Sequence, residues 1–188
     1  MKKCAIILLL LLVVSVAKAQ PNSGFGFRAE LGYGVTVTDS DSPVLSLRAM
    51  PGWHLNPYLF MGVGVGYLQY ASSSPYNVAQ IPLFGHITVN MLRSGRVIPF
   101  VDAKIGYNLG WSEKTVARFD QPTVVDMKGG FMWSPGLGAK FRIDANRSFS
   151  IGLAFESNTL RYRPKSSSSV SPWTASNYTL NIRLGYEF

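Results

Sequence analysis

Cysteine and charged residues are both scarce in this sequence of 188 residues. Cys4 is the only cysteine, and Asp, Glu, Lys and Arg together make up 15 % of the chain. Soluble domains carry about 25 % charged residues, so this chain has too few to cover an ordinary water-facing surface. Metal sites need clustered ligands, and two distant histidines do not supply them. We therefore expect no metal and no other cofactor.

Long apolar runs are absent after the first twenty residues. A membrane-spanning helix needs roughly 18 uninterrupted apolar residues, so the sequence excludes a helical membrane protein. Disorder is excluded as well, because 47 % of the residues are hydrophobic and 13 % are aromatic. The length suits one domain, or a signal segment followed by one domain.

The N-terminus has the pattern of a secretory signal peptide. Lys2 and Lys3 precede an apolar run over residues 5–14, and small residues at 17 and 19 precede Gln20. We predict cleavage after residue 19, which leaves residues 20–188 as the mature domain. The removed segment carries three lysines and no acid, so the formal charge falls from +8 to +5. It also carries the only cysteine, so the mature chain forms no disulfide.

The rest of the chain alternates apolar and polar residues with a period of two. Alternate side chains of a strand face opposite sides of a sheet. In residues 25–37 the odd positions are apolar or small, as at Leu31 and Val35, and the even positions hold Gly, Arg, Glu and Thr. The pattern marks eight candidate strands: 25–37, 45–53, 59–67, 81–91, 97–109, 131–143, 149–155 and 178–188. No charge lies on their apolar faces.

The opposite faces combine glycines with ionisable side chains. The ionisable residues are Arg28, Glu30, Arg48, Asp102, Lys104, Lys140, Arg142, Glu156, Arg183 and Glu187. Rows of glycine do not suit the charged surface of a soluble barrel. They suit the narrow interior of an eight-stranded barrel whose apolar side chains face lipid. Lipid leaves backbone groups no outside partner, so the sheet must close. We predict an all-β fold, an eight-stranded antiparallel up-and-down transmembrane β-barrel.

The connections between strands are alternately short and long. Short turns are expected at residues 55–57, 93–96 and 144–148, and longer connections at 71–80, 111–129 and 161–176. Short periplasmic turns and longer external loops are typical of outer-membrane barrels. We therefore place both termini at the periplasmic end. Pro51, Pro99 and Pro135 fall within strands, where a closed barrel offers no edge, so we expect a bulge or a strand end at each.

Aromatic residues fall near both ends of the predicted strands, as in the girdles of such barrels. The periplasmic rim would hold Phe25, Phe27, Trp53, Phe141, Phe149, Tyr186 and Phe188. The outer rim would hold Tyr67, Tyr107, Phe131, Trp133, Phe155 and Tyr178.

The last strand carries a further motif, an alternation that ends in phenylalanine. Its apolar residues are Tyr178, Leu180, Ile182, Leu184, Tyr186 and Phe188. With the seven preceding strands, the chain resembles the small outer-membrane barrels of Gram-negative bacteria, of the OmpX type and the OmpA transmembrane-domain type. More narrowly, it resembles the porin-family barrel proteins of Bacteroidetes. The resemblance implies residence in the cell outer membrane and recognition of the last strand by the barrel-assembly machinery.

The interior charges allow two interpretations of the lumen. A weakly anion-preferring pore is one, because the inward set holds six basic and four acidic residues. A lumen plugged by paired side chains is the other, and we prefer it because buried charges are costly unless paired. We expect a monomer in which the external loops carry a structural or surface-interaction role.

An enzyme is the second alternative. His86, Thr88 and Asn90 share one strand face, and a histidine beside a hydroxyl is the minimum for nucleophilic catalysis. The alternation points these side chains inward near mid-depth, away from lipid substrates, and His54 lies at the inner rim. We therefore favour lumen hydrogen bonding over a lipid A-modifying activity, and expect no catalytic residues.

Surface binding is the third possibility. Arg161, Arg163 and Lys165 lie in the last long connection and could contact lipopolysaccharide phosphates. Nucleic-acid binding is not expected, because the charges that remain lie inside the barrel or are spread over loops. If the two faces were inverted, the chain would instead be a soluble exported barrel with an apolar ligand cavity.

Overall fold

The computed structural model describes residues 24–37, 42–70, 78–118, 121–144, 147–164 and 173–188. The described residues form eight strands: β1 (Gly24–Thr36), β2 (Pro43–Asn56), β3 (Leu59–Tyr70), β4 (Val78–Asn90), β5 (Val97–Arg118), β6 (Gln121–Arg142), β7 (Ser148–Pro164) and β8 (Trp173–Glu187). The predicted signal segment lies outside these ranges, so its cleavage stays a prediction. Within the described ranges, no helix has the length and apolar character needed to span a membrane.

The eight strands form one closed barrel in which every strand pairs with its sequence neighbours. All ladders are antiparallel, and β1 closes the barrel against β8 from Arg28–Glu187 to Thr36–Thr179. Backbone bonds between Phe27 and Phe188 continue this seam to the chain end. The predicted fold class is therefore confirmed. We call the end with the chain termini the terminal end and the opposite end the far end.

The alternation in the sequence corresponds to the two faces of the barrel wall. Along β8, for example, Leu180, Ile182 and Leu184 are exposed, and the residues between them are buried. Successive side chains of a strand in such a wall point alternately outward and inward. Most of the predicted girdle aromatics are exposed, but Phe27 is buried, with its ring 5.2 Å from that of Phe188.

Two terminal-end turns have identifiable sequence causes. The Asn56 side chain accepts hydrogen bonds from the backbone N–H groups of Tyr58 and Leu59, at 2.8 and 2.9 Å, and so turns the chain between β2 and β3. Gly95 has φ of 147° between β4 and β5, a conformation that glycine adopts without steric cost. Both turns fall where the sequence predicts short connections.

The connections at the far end differ from the sequence-based prediction. Residues 111–129 were expected to form the longest loop, yet β5 continues to Arg118 and β6 begins at Gln121. Likewise β7 runs to Pro164 and β8 begins at Trp173. The alternation of apolar and polar residues fades in these segments because charges such as Glu113 and Lys114 occupy both parities. The loop prediction for 111–129 is therefore wrong.

The expectation of a bulge or strand end at each proline is also wrong. Pro51 and Pro135 lie within β2 and β6, and Pro99 is the third residue of β5. The register shifts lie elsewhere, at residues 54–56, 107–111 and 129–132. An antiparallel residue directs its N–H toward only one neighbouring strand, so a proline removes at most one ladder bond. At Pro135 the Ser134 hydroxyl donates to the Phe155 carbonyl across the strand, at 2.9 Å.

Large apolar side chains share the interior with the charges, which the sequence analysis did not predict. The buried set includes Met50, Phe60, Phe84, Phe100 and Met132. Glycines on neighbouring strands make room for them. Phe84 lies between Gly64 on β3 and Gly106 on β5, and a Cβ at either glycine would collide with Phe84. The inward glycines therefore accommodate bulky neighbours.

Candidate functional site

The interior of the barrel is the candidate site, and its largest fully buried side chain is Arg48. From β2, the Arg48 guanidinium donates to Glu30 on β1 at 3.0 Å and to Glu156 on β7 at 2.5 Å. Charge-assisted bonds of this kind are roughly twice as strong as neutral ones. One cation thereby bridges two carboxylates on different sides of the lumen.

Glu30 is the anion with the most cationic neighbours. Its carboxylate oxygens lie 3.0 Å from Arg48, 3.2 Å from Lys104, 3.4 Å from Arg183 and 3.7 Å from Arg28. These cations come from β1, β2, β5 and β8, so Glu30 joins side chains from four strands. All of these charged side chains are buried. A buried charge is costly unless it is paired, so each of them depends on a partner of opposite charge.

Asp102 and Glu156 complete the central cluster. Asp102 accepts from Lys104 at 2.7 Å and from Arg183 at 3.4 Å. Arg183 also lies 3.3 Å from Glu156, and its guanidinium donates to the Ser134 hydroxyl. Each carboxylate is therefore shared by at least two cations.

Arg28 is the least closely paired cation of the group. It donates to the hydroxyls of Thr88 at 3.3 Å and Ser150 at 3.4 Å, and its guanidinium lies 5.0 Å from the centre of the Phe100 ring. A guanidinium over an aromatic face gains electrostatic stabilisation. Hydroxyl and aromatic partners thus supplement the more distant Glu30 carboxylate, at 3.7 Å.

A second, smaller group lies at the terminal end. Glu187 accepts from Lys140 at 2.8 Å and lies 3.4 Å from His54, whose ring packs against Phe60. Arg142 was placed with the lumen charges by alternation, but it is exposed at the end of β6 and joins neither group. The last residues of a strand extend beyond the barrel wall, so alternation there no longer means burial.

The residues considered for catalysis lie within the packed interior. His86 and Thr88 are in contact, with 2.8 Å between the Nε2 and Oγ1 atoms, and Asp102 lies 3.9 Å from His86. Both His86 and Thr88 are buried, and Arg28 also uses the Thr88 hydroxyl. Asn90 bonds instead to the Pro57 carbonyl at the turn. The hydroxyl is thus engaged by a cation and by the imidazole.

Two of the three basic residues predicted to contact phosphate, Arg161 and Arg163, lie at the far end. Arg161 is exposed on β7, directly opposite Lys128 of β6, which is exposed as well. Arg163 continues the β7 strand, and Lys165 lies outside the described residues. Lys128 falls within the connection predicted over residues 111–129, and only the strand register brings it beside Arg161.

Most of the partners that satisfy the buried charges were missed because they are neutral, and only Thr88 was expected to form hydrogen bonds in the lumen. Thr88, Ser134, Ser150 and Asn158 all donate or accept within the network. Their placement on inward faces was a usable signal, since buried polar side chains need hydrogen-bond partners.

Five cations and four carboxylates make up the described interior groups, which leaves one positive charge in excess. The cations are Arg28, Arg48, Lys104, Lys140 and Arg183, and the carboxylates are Glu30, Asp102, Glu156 and Glu187. The arrangement can tie opposite walls of the barrel together. It offers no exposed nucleophile and base in contact with each other.

The sequence and the fold both match known proteins. Residues 6–188 match the family described as outer membrane protein beta-barrel domain. The crystal structure of neisserial surface protein A aligns with a TM-score of 0.66 at 11 % identity, covering 89 % of this chain and 98 % of that one. The solid-state NMR structure of the outer membrane protein AlkL aligns at 0.54 with 13 % identity, covering 91 % and 93 %.

The N-terminal barrel domain of OprF from Pseudomonas aeruginosa aligns with a TM-score of 0.47 at 14 % identity, covering 89 % of this chain and 98 % of that one. The chain has no match among curated protein sequences. The alignments with neisserial surface protein A and AlkL show a common fold, and at such identities they carry no information on activity.

Proposed function

The chain belongs to the outer membrane protein beta-barrel domain family, and from this premise we propose that it is a non-conducting surface-interaction protein of the outer membrane. The barrel serves as an anchor with an occluded lumen. The strands that extend at the far end bind an extended segment of another protein. In this arrangement the terminal end faces the periplasm and the far end faces outward.

The strand extension at the far end carries the proposal. The last pair between β4 and β5 is Gln80–Gly110, but β5 continues through Trp111–Arg118 while pairing with β6 alone. At about 3.3 Å a residue, these eight residues add roughly 26 Å of strand. β6 in turn pairs with β7 as far as Val125–Pro164. A sheet made of β5, β6, β7 and the start of β8 therefore extends past the last β4–β5 pair.

Residues 111–118 form an edge of this sheet within the described part of the chain. An edge strand presents a row of N–H and C=O groups that another strand can pair with. Addition of a strand to such an edge is a recurring mode of peptide recognition, in which main-chain bonds supply the affinity. This geometry supports a partner that presents an extended segment.

Proline substitution at the edge tests this role. N–H groups along β5 point alternately toward β6 and toward the edge, so one of Thr115→Pro and Val116→Pro removes an edge donor. Thr115→Val and Val116→Thr keep every N–H and serve as matched controls. The probe is a labelled peptide with the sequence of residues 121–128, the natural partner of this strand.

The full chain in dimyristoyl phosphatidylcholine nanodiscs should bind the peptide saturably. The edge-facing proline should weaken binding at least tenfold, and both controls should bind as the unmodified chain does. Equal binding by all five proteins, or no saturable binding at all, would contradict the proposed role of the edge.

The interior contacts support an occluded lumen. The Arg48–Glu156 pair crosses it, and Phe60, Phe84 and Phe100 fill space beside the charges. Eight strands leave an interior just wide enough for side chains. The purified protein in a planar bilayer should therefore show no stable current steps. The alternative is a small pore, which the single excess cation would bias toward anions, and reproducible anion-selective steps would favour it.

Contact with lipid phosphates is a second candidate function, which the Lys128–Arg161 pair favours. Both side chains are exposed on neighbouring strands and concentrate positive charge at the far end. A phosphate of lipopolysaccharide in the outer leaflet would accept bonds from both side chains. The Lys128→Gln, Arg161→Gln double variant should retain less lipopolysaccharide on purification.

Arg147→Gln is the matched control for that variant, because Arg147 is exposed at the terminal end. It should retain as much lipopolysaccharide as the unmodified chain. Equal retention of lipopolysaccharide by the double variant and the control would contradict the proposed phosphate contact.

Catalysis is not part of the proposal. His86 and Thr88 are both buried in the interior, beside Arg28 and Asp102. A general base must reach the substrate proton within hydrogen-bond distance, directly or through one water. Lipid substrates lie outside the barrel wall, so the contact between His86 and Thr88 serves the interior hydrogen-bond network.

A further inference from the structure

The outward face of the barrel has a groove of about 560 Å³ at mid-strand on β3, β4 and β5. Its floor is Gly85, and its two walls are Val63 and Ile105, the direct cross-strand neighbours of Gly85. Gly85 is the one glycine at an outward position of the alternation within the described strand segments of the barrel wall. The groove therefore exists because Gly85 has no side chain to fill the space between Val63 and Ile105.

The surroundings of Gly85 are open and apolar. A Cβ added there would meet only the Ile105 carbonyl oxygen, at 3.9 Å. Val63 is 65 % exposed and Ile105 is 59 % exposed, because no side chain stands between them. Leu83, Val65 and Tyr107 line the groove toward the far end. The lining thus consists almost wholly of carbon.

The width of the groove limits what can fill it. Val63 and Ile105 lie on strands two apart, a backbone separation of about 9.6 Å, from which their own side chains must be subtracted. A helix with side chains is about 10–12 Å across and is too wide to enter. The convex wall of a second barrel would bridge the two rims and leave the floor empty. A single hydrocarbon chain is narrow enough to lie along Gly85.

We infer that this groove holds one acyl chain of a membrane phospholipid in a fixed position. The inference rests on the membrane location of the family and is independent of the proposed surface role. The groove is continuous with the exposed apolar residues that face lipid around the barrel. Gly85 lies near the middle of β4, so the groove meets the inner part of a chain and leaves the headgroup free.

Nuclear Overhauser contacts between protein methyl groups and lipid methylenes test the inference. The full chain, deuterated except for Ile, Leu and Val methyls, is placed in nanodiscs of protonated dimyristoyl phosphatidylcholine. Contacts from the Val63 and Ile105 methyls to chain methylenes should be at least twice as intense as those from Leu137 and Leu153. These two reference residues are similarly exposed, at 61 % and 50 %, on β6 and β7.

Two variants locate the effect. Gly85→Leu fills the groove, so the Ile105 contact should fall to the reference level. Ala139→Leu places the same side chain at an outward position of β6, away from the groove, and should change nothing. If Gly85→Leu does not fold, the comparison of groove and reference methyls in the unmodified chain still tests the inference. Equal intensities there would overturn the inference.

A second copy of the chain is the other occupant that the experiment detects. In a sample that mixes methyl-labelled and fully protonated protein, contacts from Ile105 to protein resonances would show that barrels meet at this face. That result would also overturn the inference.

Discussion

Arg48 on β2 and Glu156 on β7 form an ion pair of 2.5 Å across the interior, and both side chains are fully buried. Two strands, β1 and β8, separate them along the shorter path around the wall. The pair therefore constrains the barrel across its diameter, which no backbone ladder can do. It also leaves each charge dependent on its partner, because neither side chain reaches water.

Removal of one member of this pair should destabilise the barrel strongly. Arg48→Met leaves Glu30 and Glu156 without their bridging cation, and loss of one partner of a buried pair costs about 3–5 kcal/mol. The free energy of unfolding in urea, measured in phospholipid vesicles, gives the cost. The Arg48→Met, Glu156→Gln double variant should recover part of it. Arg142→Met, at an exposed position, is the control and should unfold as the unmodified chain does.

A charge on the lipid-facing surface should lower the free energy of unfolding, and more so the nearer it lies to the middle of the bilayer. Val101 and Leu137 are cross-strand neighbours and are both exposed on the outward face. Val101→Arg or Leu137→Arg should each cost about 2–4 kcal/mol near the bilayer middle. Val101→Leu and Leu137→Met are the controls in the same urea measurement. Near-unchanged unfolding of both arginine variants would falsify the assignment of the outward face to lipid.

Two neighbouring glycines should respond oppositely to the same substitution. A Cβ at Gly106 would collide with the Leu83 carbonyl and with the backbone of Phe84, whereas Gly85 has open space around it. Gly106→Ala should therefore destabilise the barrel by about 1–3 kcal/mol, the usual cost of overpacking. Gly85→Ala should be neutral or stabilising by about 0.5–1 kcal/mol. The same loss in both variants would show that the interior does not pack as described.

Truncation of Glu30 should open the lumen to anions. Glu30→Ala removes the carboxylate shared by Arg28, Arg48, Lys104 and Arg183, so repulsion among the four cations is no longer offset there. We expect brief anion-selective current steps in a planar bilayer, absent from the unmodified chain and from the lipid-facing control Val101→Ala. Silence from Glu30→Ala would mean that apolar packing alone closes the lumen.

Much of the barrel could be predicted because its wall needs a strict alternation. Leu180, Ile182 and Leu184 are on the outward face, where a charge is destabilising. The face of each residue can therefore be predicted from the sequence. The strict alternation ends in the strand segments at the far end. Trp111–Arg118 carries charges at both parities, and so the sequence there resembled a loop although the backbone continues as a strand.

The candidate site could be predicted in composition but not in geometry. Alternation placed Arg48 and Glu156 inside, yet their contact depends on the register of every ladder between them. Phe84 was missed as an interior residue, because a glycine-rich face was interpreted as space for charges alone. Only the register that sets Gly64 and Gly106 beside Phe84 shows where the ring fits.

Electrophoretic mobility of the washed outer-membrane fraction, with and without boiling, tests the closed barrel in the outer membrane most directly. A closed barrel resists detergent until it is heated, so the unboiled protein should migrate faster than the boiled one. A protein recovered from the soluble periplasmic fraction, with the same mobility before and after boiling, would contradict the account. It would mean that the apolar face points inward.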